Sequence, residues 1–202
     1  MNVKVMKLIL QQLINQCADN KSQDQKIVSL FEKVRDIPYG YINSRNPLDV
    51  YNQNKGTCSG KHELLKALYE ELNIPVKNFI VKHNFKDLPN DISKLLGPKD
   101  MFDLHNFLKI KINNKWITVD ATWDKDLEEL GFPVNHKWDG KSDMQLAVKT
   151  QEEVREVKDP IASKEEFINQ LPKDVRIERE MALKAFNNFL EDFRDNKLGK
   201  GL

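Results

Sequence analysis

Cysteine is scarce here: Cys17 and Cys58 are the only two in 202 residues. Two thiols make neither a disulfide framework nor a metal-ligand spacing, so no metal and no cofactor is called for. Cys17 falls on the apolar stripe Met6, Leu10, Leu13, Ile14 of a first helix and is assigned to the core. One free thiol remains, which suits a reducing compartment. Charge of one sign is also missing. The 32 basic and 31 acidic side chains nearly cancel and are scattered, which removes the electrostatic case for nucleic acid or an anionic membrane. No run approaches the ~20 apolar residues of a membrane span. The start, Met1-Asn-Val-Lys-Val-Met-Lys, superficially looks like a signal peptide. Gln11 and Gln12 interrupt its apolar run, no small-x-small site follows, and Gln16 before Cys17 does not fit a lipoprotein box. The protein reads as cytoplasmic. There is no internal repeat, low-complexity tract or calcium loop.

What is present fits one domain spanning residues 1–202. Residues 3–36 read as two helices parted at Asp19-Asn20-Lys21-Ser22, the second burying Ile27, Leu30, Phe31 and Val34. Ile37-Pro38-Tyr39-Gly40 ends that helix. A loop then runs to Lys55, with a turn at Asn46-Pro47. After the segment around Cys58, Asn73-Ile74-Pro75 is an exit and residues 76–81 form a strand. Residues 84–101, with Pro89, Gly97 and Pro98, read as a mobile surface connection able to flap over a cleft. Residues 102–121 form two alternating strands around Asn113-Asn114. The aromatic segment 132–140 either walls a cleft or ties the last helices to the core. Ser163-Lys-Glu-Glu166 matches a capping box, and Ala182, Ala185, Phe186, Phe189 and Phe193 stripe a long final helix.

The stretch Asn54-Lys-Gly-Thr-Cys58-Ser-Gly-Lys-His-Glu-Leu-Leu carries the chemistry. Gly56 is free of Cβ constraints for a turn, and Thr57 is placed to cap a helix on which Leu64, Leu65, Leu68 and Leu72 recur. A thiol in that first turn sits at the positive end of the helix dipole, which favours thiolate.

The hairpin supplies a partner. With Asn113-Asn114 as a two-residue turn, Phe107 opposes Asp120 and His105 opposes Thr122. His105, Phe107, Lys109 and Lys111 then share one face with Trp116, Thr118, Asp120 and Thr122. Leu104, Leu108, Ile110, Ile112, Ile117 and Val119 take the other face as the core side. His105 and Asp120 become diagonal neighbours, within reach of one another. Cys58 as nucleophile, His105 as its base and Asp120 as the group that orients the imidazole are what thiol catalysis needs, with the Cys58 N–H aimed at an oxyanion. Asp103 and Asp124 are alternatives to Asp120. His62 is assigned a packing role; His83 and His136 lack telling partners. Gln53, Phe107 and Trp123 are weak candidates for contacting substrate, and Trp116 and Trp138 for lining a cleft.

Taken in order, Phe31-Glu-Lys-Val-Arg-Asp-Ile-Pro-Tyr39, Asn54-Lys-Gly-Thr-Cys58, Leu72-Asn-Ile-Pro75, Asp103-Leu-His105-Asn-Phe-Leu-Lys-Ile and Lys115-Trp-Ile-Thr-Val-Asp120-Ala-Thr-Trp123 resemble the transglutaminase-like domains of the papain-like cysteine enzyme superfamily. The order Cys, His, Asp and the separations of 47 and 15 residues match that family. The resemblance covers residues 27–124 and implies an α+β fold, with the nucleophile helix packed on an antiparallel sheet. Residues 1–26 then form an N-terminal helix and 125–202 a C-terminal helical extension. It also implies a hydrolase cleaving an amide or peptide bond through an acyl-enzyme, with a peptide, amide or protein as substrate. The alternatives are an idle binding or scaffold module of the same fold, its cleft blocked by residues 84–101 or by the tail, and an acyl transferase. Cross-linking members usually carry a tryptophan ahead of the nucleophile. Here the first is Trp116, with only Tyr51, Asn52 and Gln53 to substitute, which favours hydrolysis over cross-linking.

Overall fold

A computed structural model describes residues 3–96 and 100–199. Met1 and Asn2 of the leader-like start, and Gly97 and Pro98 of the 84–101 connection, lie outside the described residues. The chain is α+β, with seven described helices and a four-stranded antiparallel sheet of order β3-β2-β1-β4. Helices α1 (Val3–Ala18) and α2 (Gln23–Arg35) are parted where the polar stretch interrupts periodicity, and Ser22 with Gln25 forms a reciprocal capping box on α2. Ile27, Leu30, Phe31 and Val34 are buried.

The stretch read as a loop before Lys55 contains a short helix, α3 (Pro47–Gln53). Asn46 accepts from the Leu48 N–H at 2.9 Å and Pro47 takes the first helical position. The same dipeptide that marks a turn also opens a helix when its asparagine caps. Helix α4 (Cys58–Glu71) follows and buries Leu64, Leu65 and Leu68. Thr57 holds the N-cap position, but its side chain makes no capping hydrogen bond. The left-handed residue before α4 is Asn54, at φ 45°, not Gly56. Gly56 is needed for space, because a Cβ there would lie 2.9 Å from Val50 Cγ1.

Strands β1 (Val76–Asn84), β2 (Phe102–Ile112) and β3 (Lys115–Val119) build the sheet, with β4 (Arg155–Val157) on the β1 edge. Ile112 pairs with Lys115 and Leu108 with Val119, the register of a two-residue turn, and Asn113 and Asn114 take φ of 48° and 64°. β3 stops at Val119, so the β2 edge beyond Leu108 is left without a strand partner on that side. β1 extends to Asn84 because its pairing with β2 runs on to Phe102.

The described part of residues 84–101 is not a loose surface connection. A 3-10 turn at Phe85–Asp87 and helix α5 (Asn90–Leu95) sink Phe85, Leu88, Ile92, Leu96 and Met101 into a second apolar cluster. Five apolar side chains over an irregular backbone show no single period, so the burial was invisible to pattern. Residues 125–159 are largely irregular, with a 3-10 turn at Lys125–Leu130 and β4, rather than helical. Helix α6 (Pro160–Gln170) starts earlier than the Ser163 box: Asp159 caps it, accepting from the Ile161 and Ala162 N–H groups at 3.0 and 2.9 Å, and Pro160 enters at the first turn. Helix α7 (Lys173–Gly199) follows, with Ala182, Phe186 and Leu190 buried.

Two cores result. The first joins α1, α2 and α4 to Leu108, Ile110, Ile117 and Val119 of the sheet. The second joins α5 and α7 to Phe85, Trp123, Leu127 and Phe132. No helix among the described residues is long and apolar enough to cross a membrane.

Candidate active site

Cys58 is the first residue of α4, and it lies where β3 no longer covers β2. The Asn106 backbone on that unpaired edge favours the ionised sulfur. The imidazole of His105, next along β2, faces the thiol closely enough to favour its ionisation. Its Nε2 faces Asp120 Oδ2 at 2.8 Å, which leaves Nδ1 for the sulfur. Cys58, His105 and Asp120 are all buried.

Asp120 sits one residue past the end of β3 and has no unspent lone pair facing apolar space. Oδ1 accepts from Thr122 Oγ1 at 2.7 Å and Oδ2 accepts from the Ala147 N–H at 2.8 Å. Burial alone would raise its pKa. The imidazolium of His105, its hydrogen bond, His62 and the Ala147 N–H reverse that and hold the carboxyl well below the usual range. His105 shows the complementary shift. Burial opposes the cation, yet the charge and hydrogen bond of Asp120, followed by Cys58, raise it to about 10. For Cys58, burial opposes ionisation; the Lys164 ammonium, the His105 bond and charge, and the Asn106 N–H overcome it and bring the thiol down to about 6. Both shifts favour thiolate beside imidazolium.

The other candidate carboxylates are committed elsewhere. Asp103 Oδ2 accepts from Arg179 Nη2 at 2.7 Å and lies 3.1 Å from Lys164 Nζ. Asp124 Oδ2 accepts from the Tyr39 N–H at 2.7 Å and from Arg194 Nη2 at 2.8 Å. His62 does more than pack. Its Nε2 accepts from the Ala121 N–H at 2.9 Å and lies 3.6 Å from Asp120 Oδ1, and burial keeps it neutral, at about 4. His83 likewise belongs to the site: its ring lies 6.4 Å from that of His105, and burial depresses it to about 3.

Of the weak substrate candidates, Trp123 lines the cavity over Cys58, and its Nε1 donates to Ala147 O at 2.8 Å. Phe107 is buried, stacked on His105 at 6.3 Å, and is not in the lining of the Cys58 cavity. Gln53 is exposed in the last turn of α3, as is Asn52, because Leu48 and Val50 are the residues that turn inward. With Tyr51 packed against the first core, none of the three lines the cavity. Trp116 is exposed, and Trp138 is buried against Phe31 at 5.4 Å. Segment 132–140 buttresses the back of Asp120: Asn135 Nδ2 donates to Asp120 O at 3.0 Å.

Cys58 is only 4% exposed. Its cavity holds about 30 Å³ and is roofed by Phe85, Leu88, Leu183 and Phe186. That is room for about one or two waters, not for a peptide bond. Beside it a groove of about 550 Å³ opens along α6 and α7. Tyr39, Asp103, Lys164, Leu183 and Phe186 line both spaces and form the partition between them. Lys164 and Arg179 carry no local signal of this role, since the scattered Lys and Arg of the chain read as solvated surface. Among the described residues, no group of three or more His, Cys, Asp or Glu is placed to hold a metal ion.

No family model and no curated protein sequence matches the chain. Among solved structures, a Cytophaga hutchinsonii protein described as a "putative cysteine protease" aligns at 21% identity and TM-score 0.42, over 60% of this chain and 43% of its own. A protein described as a TGase aligns at 14% identity and TM-score 0.45, over 62% of this chain and 34% of its own. The chain thus spans under half the length of either, and neither overlap is close enough to transfer a substrate or a reaction.

Proposed function

We propose that the protein is a cysteine hydrolase of the transglutaminase-like kind, cleaving an amide or peptide bond with Cys58, His105 and Asp120. The observation that carries this reading is the buried line of thiol, imidazole and carboxylate, in which the 2.8 Å His105–Asp120 bond leaves one ring nitrogen for sulfur. The Cys58 thiolate attacks the carbonyl carbon and forms a C–S bond. The oxyanion lies at the start of α4, where the first N–H groups, that of Cys58 included, have no intrahelical acceptor. His105 gives its proton to the nitrogen as the C–N bond breaks, and the amine leaves. Water then adds to the thioester, its proton passing to His105, and the acid and thiolate separate. Asp120 holds one tautomer throughout and stays ionised.

The test uses a peptide mixture digested in H₂¹⁸O with wild type and with Cys58→Ala. New carboxyl termini bearing ¹⁸O only in wild type support hydrolysis. Incorporation of an added primary amine in place of water identifies an acyl transferase. The 4% exposure of Cys58 favours a second reading, the idle module of the same fold. No turnover with either acceptor, alongside a thiol that resists alkylation, selects that one.

A further inference from the structure

Two cations, Lys164 and Arg179, are buried at the floor of the α6–α7 groove, and they share one carboxylate, Asp103. Lys164 has two acceptors: its Nζ donates to Leu104 O at 3.0 Å and lies 3.1 Å from Asp103 Oδ2, and it is the cation that most favours the Cys58 thiolate. Arg179 Nη2 donates to Asp103 at 2.7 Å, while the neighbouring Nε is buried without a partner. A guanidinium edge is built to hold a carboxylate with two parallel N–H bonds, and here half of that edge is unused. Leaving a buried charged donor unpaired is costly, so the empty position calls for an acceptor. Around it, Arg45, Lys164, Arg179 and Lys184 face only Asp103 and Glu180 in the groove lining. Because Arg45 is drawn toward Glu165 at 3.8 Å, the inner pair dominates the field.

We infer that the groove is the substrate entry to Cys58 and that Arg179 selects substrates bearing a carboxylate on the acyl side of the bond to be cleaved. This rests on Cys58 being the nucleophile. The groove volume of about 550 Å³ is that of a small-ligand or side-chain pocket, and it meets the Cys58 cavity through Asp103 and Lys164. A carboxylate entering the groove meets Arg179 beside Asp103 of the partition, which places its acyl carbon toward the sulfur.

The experiment compares two alkylating agents of nearly equal size, anionic iodoacetate and neutral iodoacetamide, on the full chain. Rate constants at Cys58 are read by peptide mass spectrometry at pH 7.5 and low salt. The ratio of the two is divided by the same ratio for 2-mercaptoethanol, so thiolate fraction and intrinsic reactivity cancel. Wild type should favour the anion about tenfold, with the preference fading in 0.5 M salt. Arg179→Gln should bring the ratio near that of the free thiol. Arg179→Lys, which retains a partner for Asp103, should give an intermediate ratio and covers the case in which the glutamine variant does not fold. A wild-type ratio near one, or a ratio unmoved by both substitutions, overturns the anion selectivity and leaves the nucleophile reading standing. A Cys58 inert to both reagents overturns the two together.

Discussion

His105 Nε2 and Asp120 Oδ2 lie 2.8 Å apart, although Asp120 stands beyond the last paired residue of β3. The contact is made because three further groups hold the carboxylate: Thr122, the Ala147 N–H and, through the Ala121 backbone, His62. An imidazole so supported favours the protonated form and, after Lys164, contributes to the Cys58 acidity.

Alkylation of Cys58 by iodoacetamide should therefore follow a titration near pH 6, whereas Cys17, whose thiol burial pushes up, should titrate above 9. At pH 7 the Cys58 sulfur is roughly nine-tenths thiolate. His105→Ala should move the Cys58 midpoint up by more than about one unit, and Asp120→Asn by less, since it acts through orientation. Site-resolved mass spectrometry across pH 5–10 reads both. Midpoints that coincide for the two cysteines would make Cys58 an ordinary structural thiol.

The thiolate also contributes stability. Its folded pKa, about 6, lies below the unfolded value of 9.0, so the contribution is complete above pH 9 and is lost as pH falls to 6. Relative to Cys58→Ser, the wild-type advantage should grow between those limits, by less than the thiol shift alone would give because Cys58 also raises His105. Urea unfolding of both proteins at pH 6, 7.5 and 9 measures the difference. A gap that does not widen with pH contradicts the thiolate assignment.

Lys61 is fully buried in α4 and donates to Arg35 O, Ile37 O and Thr122 O at 2.9, 2.8 and 2.7 Å. Replacing it by methionine retains the stem and strands three carbonyls. Lys61→Met should cost at least about 3 kcal/mol of unfolding free energy, read from the denaturant midpoint. A loss below about 1 kcal/mol would show that water replaces the ammonium there.

Leu183 belongs to the roof of the Cys58 cavity and to the groove wall. Leu183→Ala should open the partition and speed Cys58 alkylation by about tenfold or more, without moving its pH midpoint. An unchanged rate would place the route to sulfur elsewhere, on the Phe85 and Leu88 side.

Much of this was legible in the sequence because it is local. The Asn113-Asn114 turn sets a two-residue register, and that register alone puts His105 and Asp120 on one face. The leucine spacing after Cys58 makes a helix of its first turn wherever that helix docks. Asp120, Asp103 and Asp124 could not be separated this way. Each lies near His105 in sequence, and only folding gives Arg179 to one and Arg194 to another. The same limit hid the burial of residues 84–101, the spatial rather than conformational need for Gly56, and the roof over Cys58. Local pattern reports which side chains prefer water and which backbone angles are allowed. Which charge meets which, and what covers a thiol, depends on Lys164 of α6 and Arg179 of α7 returning from 60 and 76 residues along the chain to meet Leu104 and Asp103 of β2, contacts no short-range period encodes.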